Sequence, residues 1–255
     1  MKRAEVLLAI GAAFAAAFLF PDIALHAARA AGYSVCHQWP EHSFAIGGVS
    51  LPLCARCTGT YFGALAALGL IWAVGRGKAG DWPPRIVLAV LAIGFAWMVV
   101  DGANSFADAL SGGALRLYPP TNALRFLAGG LNGMALIGVG YPLFSRVMWA
   151  EWAHKSMVRN LGEVAALWAI LAAGAWALLT GAGVLLPLFS LLSLAGILVL
   201  FTGANAALWL ILARKEGLAA TLTQALPGLG AGLLMTVGEL LLIRVARSLV
   251  EQHFL

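Results

Sequence analysis

RIVLAVLAIGFAWMVVDGANSFA, residues 85–107, is the stretch on which the fold turns. Between Arg85 and Asp101 it carries no charge. A bilayer core of about 30 Å needs roughly 20 apolar residues in a helix, so the stretch reads as a membrane span. Its far end is different: Asp101, Asn104, Ser105 and Asp108 recur at i, i+3, i+4 and i+7, which is one helical face. Ionisable groups inside a membrane are costly and turn toward a bundle interior or a wet cavity. The span therefore belongs to a bundle whose interior is polar near one end.

Outward from this segment, comparable runs occur at 4–25, 56–75, 121–143, 161–183, 187–212 and 218–243. The composition agrees: 62% hydrophobic and 11% charged, against about 45–50% apolar and about 25% charged in ordinary globular domains. The expected fold is all-α, a polytopic transmembrane bundle of about seven spans forming a single integral membrane domain over residues 1–255. The thirty glycines suit such a bundle, because small residues let membrane helices approach closely. Pro187 is the only separator expected between the fifth and sixth spans. The start, MKRAEVLLAIGAAFAAAFLF, has a basic end and an apolar core, with HAARA as a cleavage-like sequence beyond it. It is read as an uncleaved first span that doubles as the insertion signal.

The net charge of +5 is not read as a nucleic-acid footprint, because the basic residues sit at the ends of apolar runs. With a cytoplasmic N-terminus, Lys2, Arg3, Arg76, Lys78, Arg85, Arg146, Lys155, Arg159, Arg214 and Lys215 fall on the inner side. Fewer fall outside: Arg29, Arg56, Arg116, Arg125, Arg244 and Arg247. This expectation places the chain in the cell (inner or plasma) membrane as a multi-pass protein, with the loop 33–58 on the outer face. The lipid bilayer is its expected partner. The loop 144–160, with its tryptophans and basic residues, is expected to anchor at the inner headgroup region.

All three cysteines lie in that outer loop, within CHQWPEHSFAIGGVSLPLCARCTG, residues 36–59. Gly47–Gly48 suits a two-residue hairpin turn, since both positions accept positive φ. Pairing Ile46 with Val49 sets Phe44 opposite Leu51 and Glu41 opposite Cys54, and folds Cys36 and His37 back toward Cys54 and Cys57. Cys57 is expected in the first turn of the next helix, where free N–H groups and the dipole favour thiolate. Cys36, His37, Cys54 and Cys57 form the Cys3His set that zinc takes in structural sites. Two other readings stand beside it: a redox-active Cys54–Cys57 disulfide exchanging with Cys36, and a plain disulfide staple with an idle third cysteine. His42 and His26 have weaker claims, and His154 and His253 have no chemical context.

Other polar residues are expected at the same depth. Asn122, Arg125, Gly129 and Asn132 form one face of the fourth span, Arg56 and Tyr61 lie early in the second, and Glu239 lies in the seventh. Asp101 and Arg125 are the expected ion pair, since either alone is an unpaired charge in a low-dielectric interior. The pair is read either as fixing helix register or as part of an anion-binding pocket with Arg56, Asn104 and Asn122.

The blocks Cys36-His37-Gln38, Pro40-Glu41, Ser43-Phe44, Cys54-Ala55-Arg56-Cys57-Thr58-Gly59 and Tyr61-x-Gly63 resemble a family of prokaryotic predicted membrane proteins of unknown function. In that family an intramembrane aspartate and an Asn-x-x-Arg block follow, matched here by Asp101 and by Asn122 with Arg125. His42 departs from it, where arginine is more usual. The resemblance covers roughly residues 36–133 and implies a multispanning membrane protein without naming an activity.

The expected function is a zinc site above a polar pocket, serving hydrolysis or group transfer on a lipid-linked or other amphiphilic, anionic substrate. Asp101, Glu239 and Arg125 are its candidate catalytic groups, and Arg56, Asn104, Asn122 and Tyr61 its candidate substrate contacts. The alternatives are a membrane thiol–disulfide oxidoreductase using Cys54 and Cys57, and a transporter or channel.

Overall fold

A computed structural model describes residues 19–254. Among them are seven α-helices: α1 Pro21–Gly32, α2 Ala55–Ala73, α3 Arg85–Ser111, α4 Asn122–Met148, α5 Leu161–Thr180, α6 Leu185–Leu212 and α7 Leu222–Phe254. Helices α3 to α7 are each long and apolar enough to cross a membrane. The architecture is the expected helical bundle. Most of the expected first span, 4–25, lies outside the described residues; its last residues open α1, with Pro21 in the first turn where a missing N–H costs nothing.

Local chemistry sets the helix ends. Thr121 caps α4 by accepting from the Leu124 N–H at 3.2 Å, and Asn160 caps α5 by accepting from Glu163 N–H at 3.0 Å. Helix α5 stops at Gly181, whose φ of 67° closes the last turn. Pro187, expected as the separator, instead sits in the first turn of α6, where proline is tolerated. The break therefore comes from glycine, six residues earlier than the proline.

Helices α2 and α4 run parallel with their backbones in contact. A Cβ at Gly59 would overlap the Phe126 carbonyl, and one at Gly63 the Gly130 carbonyl; reciprocally, Gly129 meets the Arg56 carbonyl and Gly133 the Thr60 carbonyl. Two small-xxx-small pairs thus interlock. Around this seam, Gly174 of α5 receives Phe62, Gly196 of α6 receives Tyr61, and Leu171 covers Gly130. Phe62, Phe126 and Phe189 fill the middle of the core, with the Phe62 ring 5.5 Å from each of the other two. Helix α7 packs antiparallel on α6, where Gly232 lies against Thr202 and Ala206.

Two short ladders close the ends. The hairpin β1 Ala45–Ile46 and β2 Val49–Ser50 joins α1 to α2, and β3 Ala79–Asp81 pairs in parallel with β4 Ala153–Ser156 at the opposite end. The region 144–160, expected as an interfacial loop, is helical through Met148 and then forms β4. There Arg146 Nε donates to the Gly80 carbonyl at 2.7 Å, and Arg76 grips Glu163 through two nitrogens at 2.8 and 2.7 Å.

The interlocked glycines yield a direct test. Gly129→Ala should destabilise the protein by about 1–3 kcal/mol through overpacking against backbone. Gly69→Ala, where a Cβ meets nothing within 4 Å, should be neutral or slightly stabilising. Thermal unfolding of both variants in detergent separates these outcomes.

Candidate functional site

The hairpin forms as its glycines demand. Gly47 and Gly48 have φ of 57° and 80°, Ile46 faces Val49, and the Leu51 N–H donates to the Phe44 carbonyl at 2.8 Å. Beyond that point the extended register ends. Pro40–His42 form a 3-10 turn, so Glu41 does not come opposite Cys54. The proline bends the first strand inward instead, which still delivers Cys36 and His37 to Cys54.

Donor atoms of Cys36, His37 and Cys54 lie within 4.8 Å of one another. Cys54 is the N-cap of α2, its sulfur accepting from the Cys57 N–H at 3.5 Å. The Cys36 sulfur accepts from the N–H groups of Cys54 at 3.3 Å and Gln38 at 3.4 Å. Cys36 and Cys54 are 7% and 3% exposed, and all three cysteines are free. Hydrogen bonds from the Cys54 and Cys57 thiols lower the Cys36 thiol far below the ordinary thiol range. The same bond pushes Cys54 upward, because one shared negative charge opposes a second. Cys36, His37 and Cys54 are close enough to hold a metal ion; Cys57, the fourth member of the expected set, stands outside this group, with its thiol hydrogen-bonded to Cys36.

His37 lies on the exposed side. Its Nδ1 accepts from the Trp39 N–H at 3.0 Å, and the ring packs with Trp39 and His42 at centroid distances of 5.0 and 5.2 Å. Desolvation, with Arg56 and Arg125 nearby, lowers His37 below its ordinary pKa despite the Cys36 thiolate. The imidazole is thus kept neutral, the form that ligates metal.

Residues that the sequence reading did not single out fasten this loop. Gln38, at a φ of 56°, donates from Nε2 to the Arg29 carbonyl at 3.0 Å and the Pro52 carbonyl at 2.7 Å, bridging α1 and the second half of the loop. Arg29 reaches the Ser50 carbonyl at 3.0 Å. From α7, Arg247 donates to the carbonyls of Tyr33 and Cys36, both at 2.7 Å, lies over the Tyr33 ring, and pairs with Glu251 one turn on. The available signals were the Cys-His-Gln block and the Arg247–Glu251 spacing.

The polar network beneath differs from expectation in its pairing. Asp101 is fully buried and pairs with Arg56, not Arg125. Arg56 Nε donates to Asp101 Oδ2 at 3.0 Å, and Nη2 reaches that same oxygen, the Asp101 carbonyl and Ser105 Oγ. The Tyr118 hydroxyl donates to Oδ1 at 3.0 Å. The reason is the α2–α4 seam: it sets Arg56 at the edge facing α3, while Arg125 turns back along α4. There Arg125 donates to Asn122 Oδ1 at 3.0 Å. Asn122 in turn donates to the Ser43 carbonyl at 2.9 Å, joining α4 to the hairpin. Asn104 accepts from the Leu117 N–H at 2.6 Å and donates to the Tyr118 carbonyl at 3.0 Å, folding the α3–α4 loop over Asp101.

Tyr61 is buried among Cys36, Cys54, Ile197 and Leu240, on the floor of the cysteine cluster. Glu239 is not joined to the Arg56–Asp101 network; its Oε2 accepts from Asn205 Nδ2 at 2.9 Å, and Asn205 also donates to Thr236. Asn205 and Glu239 meet where the antiparallel α6 and α7 cross.

Residues 36–139 match the family described as "Predicted membrane protein (DUF2085)". An uncharacterized protein of Methanocaldococcus jannaschii is 30% identical over 120 residues, 46% of this chain and 69% of the relative. The chain belongs to this family. A second uncharacterized protein, from Methanothermobacter thermautotrophicus, is 50% identical over 30 residues, 12% of this chain and 27% of its own length. No solved structure matches. The DUF2085 match takes in the cysteine loop, the Arg56–Asp101 pair and Arg125, while Glu239 and Arg247 fall outside it.

Removing one partner of the buried pair should be severe. Asp101→Asn is expected to cost about 3–5 kcal/mol, because it strands the Arg56 guanidinium. Tyr118→Phe should cost about 1 kcal/mol. Burial and the Asp101 carboxylate push the Tyr118 phenol up to about 12. Its contribution is therefore complete below the unfolded value near 10 and lost as pH rises through 12. Wild type and Tyr118→Phe should converge in unfolding midpoint across that window.

Proposed function

We propose that this member of the DUF2085 family is a membrane metalloprotein whose Cys36, Cys54 and Cys57 thiolates and His37 imidazole bind one zinc ion at the extracytoplasmic end of the bundle. The observation that carries this reading is the convergence of Cys36, His37 and Cys54 donor atoms within 4.8 Å, from two chain segments joined by a hairpin. Backbone N–H groups directed at the sulfurs of Cys36 and Cys54 support it, since such bonds stabilise thiolate. A soft, sulfur-rich donor set of this composition suits zinc.

In this reading the three sulfurs are the permanent ligands. His37, exposed and already hydrogen-bonded through Nδ1, is the ligand that yields to an incoming group. The reaction class is hydrolysis or group transfer on an anionic amphiphile that approaches between the hairpin and the ends of α2 and α4. Asp101 acts as a positioning residue for Arg56, because both of its oxygens are engaged. Tyr61 forms the apolar floor, and Arg125 and Asn122 face the substrate's charge. Glu239 serves the α6–α7 contact through Asn205.

Metal analysis and thiol counting on protein purified without chelators test the assignment. The expected result is about one zinc per chain, with thiols that react only after chelation, and Cys54→Ser should lower metal retention by at least roughly tenfold. A metal-free protein in which Cys54 and Cys57 cycle through a disulfide would overturn it in favour of thiol–disulfide exchange.

A further inference from the structure

Arg125 is a buried cation with no ion-pair partner among the described residues. Its residue is 7% exposed. Among the described residues its side chain has one hydrogen-bonding partner, Asn122, and Nε is enclosed with none. The carboxylates on the facing helix are already committed, Asp101 to Arg56 and Asp108 to Arg116. A guanidinium taken out of water and left unpaired is expensive, so the arrangement calls for an anion.

The position suits one. Arg125 lies in the first turn of α4, a helix of 27 residues, and the Thr121 cap serves only the Leu124 N–H there. The N–H groups of Asn122 and Ala123 remain without intrahelical partners, and the dipole of a long helix favours negative charge at this end. Asn122 is itself held by the Ser43 carbonyl of the hairpin, so it keeps the guanidinium folded toward that turn. Arg56, already paired with Asp101, leaves Arg125 as the cation available here, and its backbone touches Gly129 one turn beyond Arg125.

We propose that Arg125, with Asn122 and the first turn of α4, binds a phosphate-class oxyanion beneath the β1–β2 hairpin, either free or carried on a lipid headgroup. The planar guanidinium fork matches the oxygens of such a group. This deepens the reading in which Arg125 and Asn122 face the substrate's charge, but the site stands on Arg125 and α4 and needs no ion in the cysteine cluster.

The experiment uses the full-length protein in nanodiscs, with bound metal measured in parallel. In phosphatidylcholine discs, inorganic phosphate is titrated against chloride at matched ionic strength. In a second arm, in phosphate-free buffer, the discs contain either phosphatidylcholine alone, whose headgroup phosphate is neutralised by its choline, or about one-third phosphatidylglycerol, whose headgroup is net anionic. The unfolding midpoint of wild type should rise saturably in at least one arm. A rise with inorganic phosphate identifies the free anion as sufficient, and a rise with phosphatidylglycerol alone identifies a lipid headgroup. Arg125→Gln should weaken the response by about tenfold or more with its metal content unchanged, and Arg125→Lys, which keeps the charge but loses the fork, by several-fold. If Arg125→Gln does not fold, the lysine variant and the wild-type titrations still decide. No response of wild type in either arm, or an equal response in the variants, overturns the proposal. A variant that keeps the anion response but loses its metal does so too, by assigning Arg125 to balance the thiolates.

Discussion

Everything at the functional end depends on the backbone contact between α2 and α4. Gly59 and Gly63 interlock with Gly129 and Gly133 so closely that carbonyl oxygens occupy the space a Cβ would need. Because the helices are parallel, both N-termini emerge at the same end. One begins with Cys54 and carries Arg56 and Cys57; the other begins after Thr121 and carries Asn122 and Arg125. Two positive helix ends and two guanidiniums are thereby brought beneath three sulfurs. That field favours thiolate in the cysteine cluster, and would favour an anion at the start of α4.

Within that frame the charged groups divide their work. Arg56 and Asp101 neutralise one another across α2 and α3, with Tyr118 and Ser105 completing their hydrogen bonds. Buried pairs of this kind fix geometry more than they add stability. Arg125 has no ion-pair partner among the described residues; it lies one helical turn from Gly129 and is joined to the hairpin through Asn122. The loop above is tied down from three directions, by Gln38 to α1 and to Pro52, by Asn122 to α4, and by Arg247 to α7.

Much of this was legible along the chain. Apolar runs marked the helices, since hydrophobic length is a local property, and the Gly47–Gly48 turn set its own register because both residues accept positive φ. The grouping of the cysteines followed from that turn. Less legible were the partners. Asp101 had two arginines at the right depth, and depth cannot choose between them. Glu239 was expected at the depth of the Arg56–Asp101 cluster but is held by Asn205, because counting along a single helix ignores how two antiparallel helices slide against each other. Pro187 looked like a boundary, yet a proline is equally at home in a first turn, and the αL glycine at 181 closed the helix.

The sequence by itself determined a helical membrane protein with a cysteine-bearing hairpin loop, because hydropathy, turn chemistry and residue spacing act over short distances. Only the tertiary structure decided that Arg56 rather than Arg125 takes Asp101. That choice depends on which face of α2 meets α4, and this is set by glycine backbones in contact across the bundle.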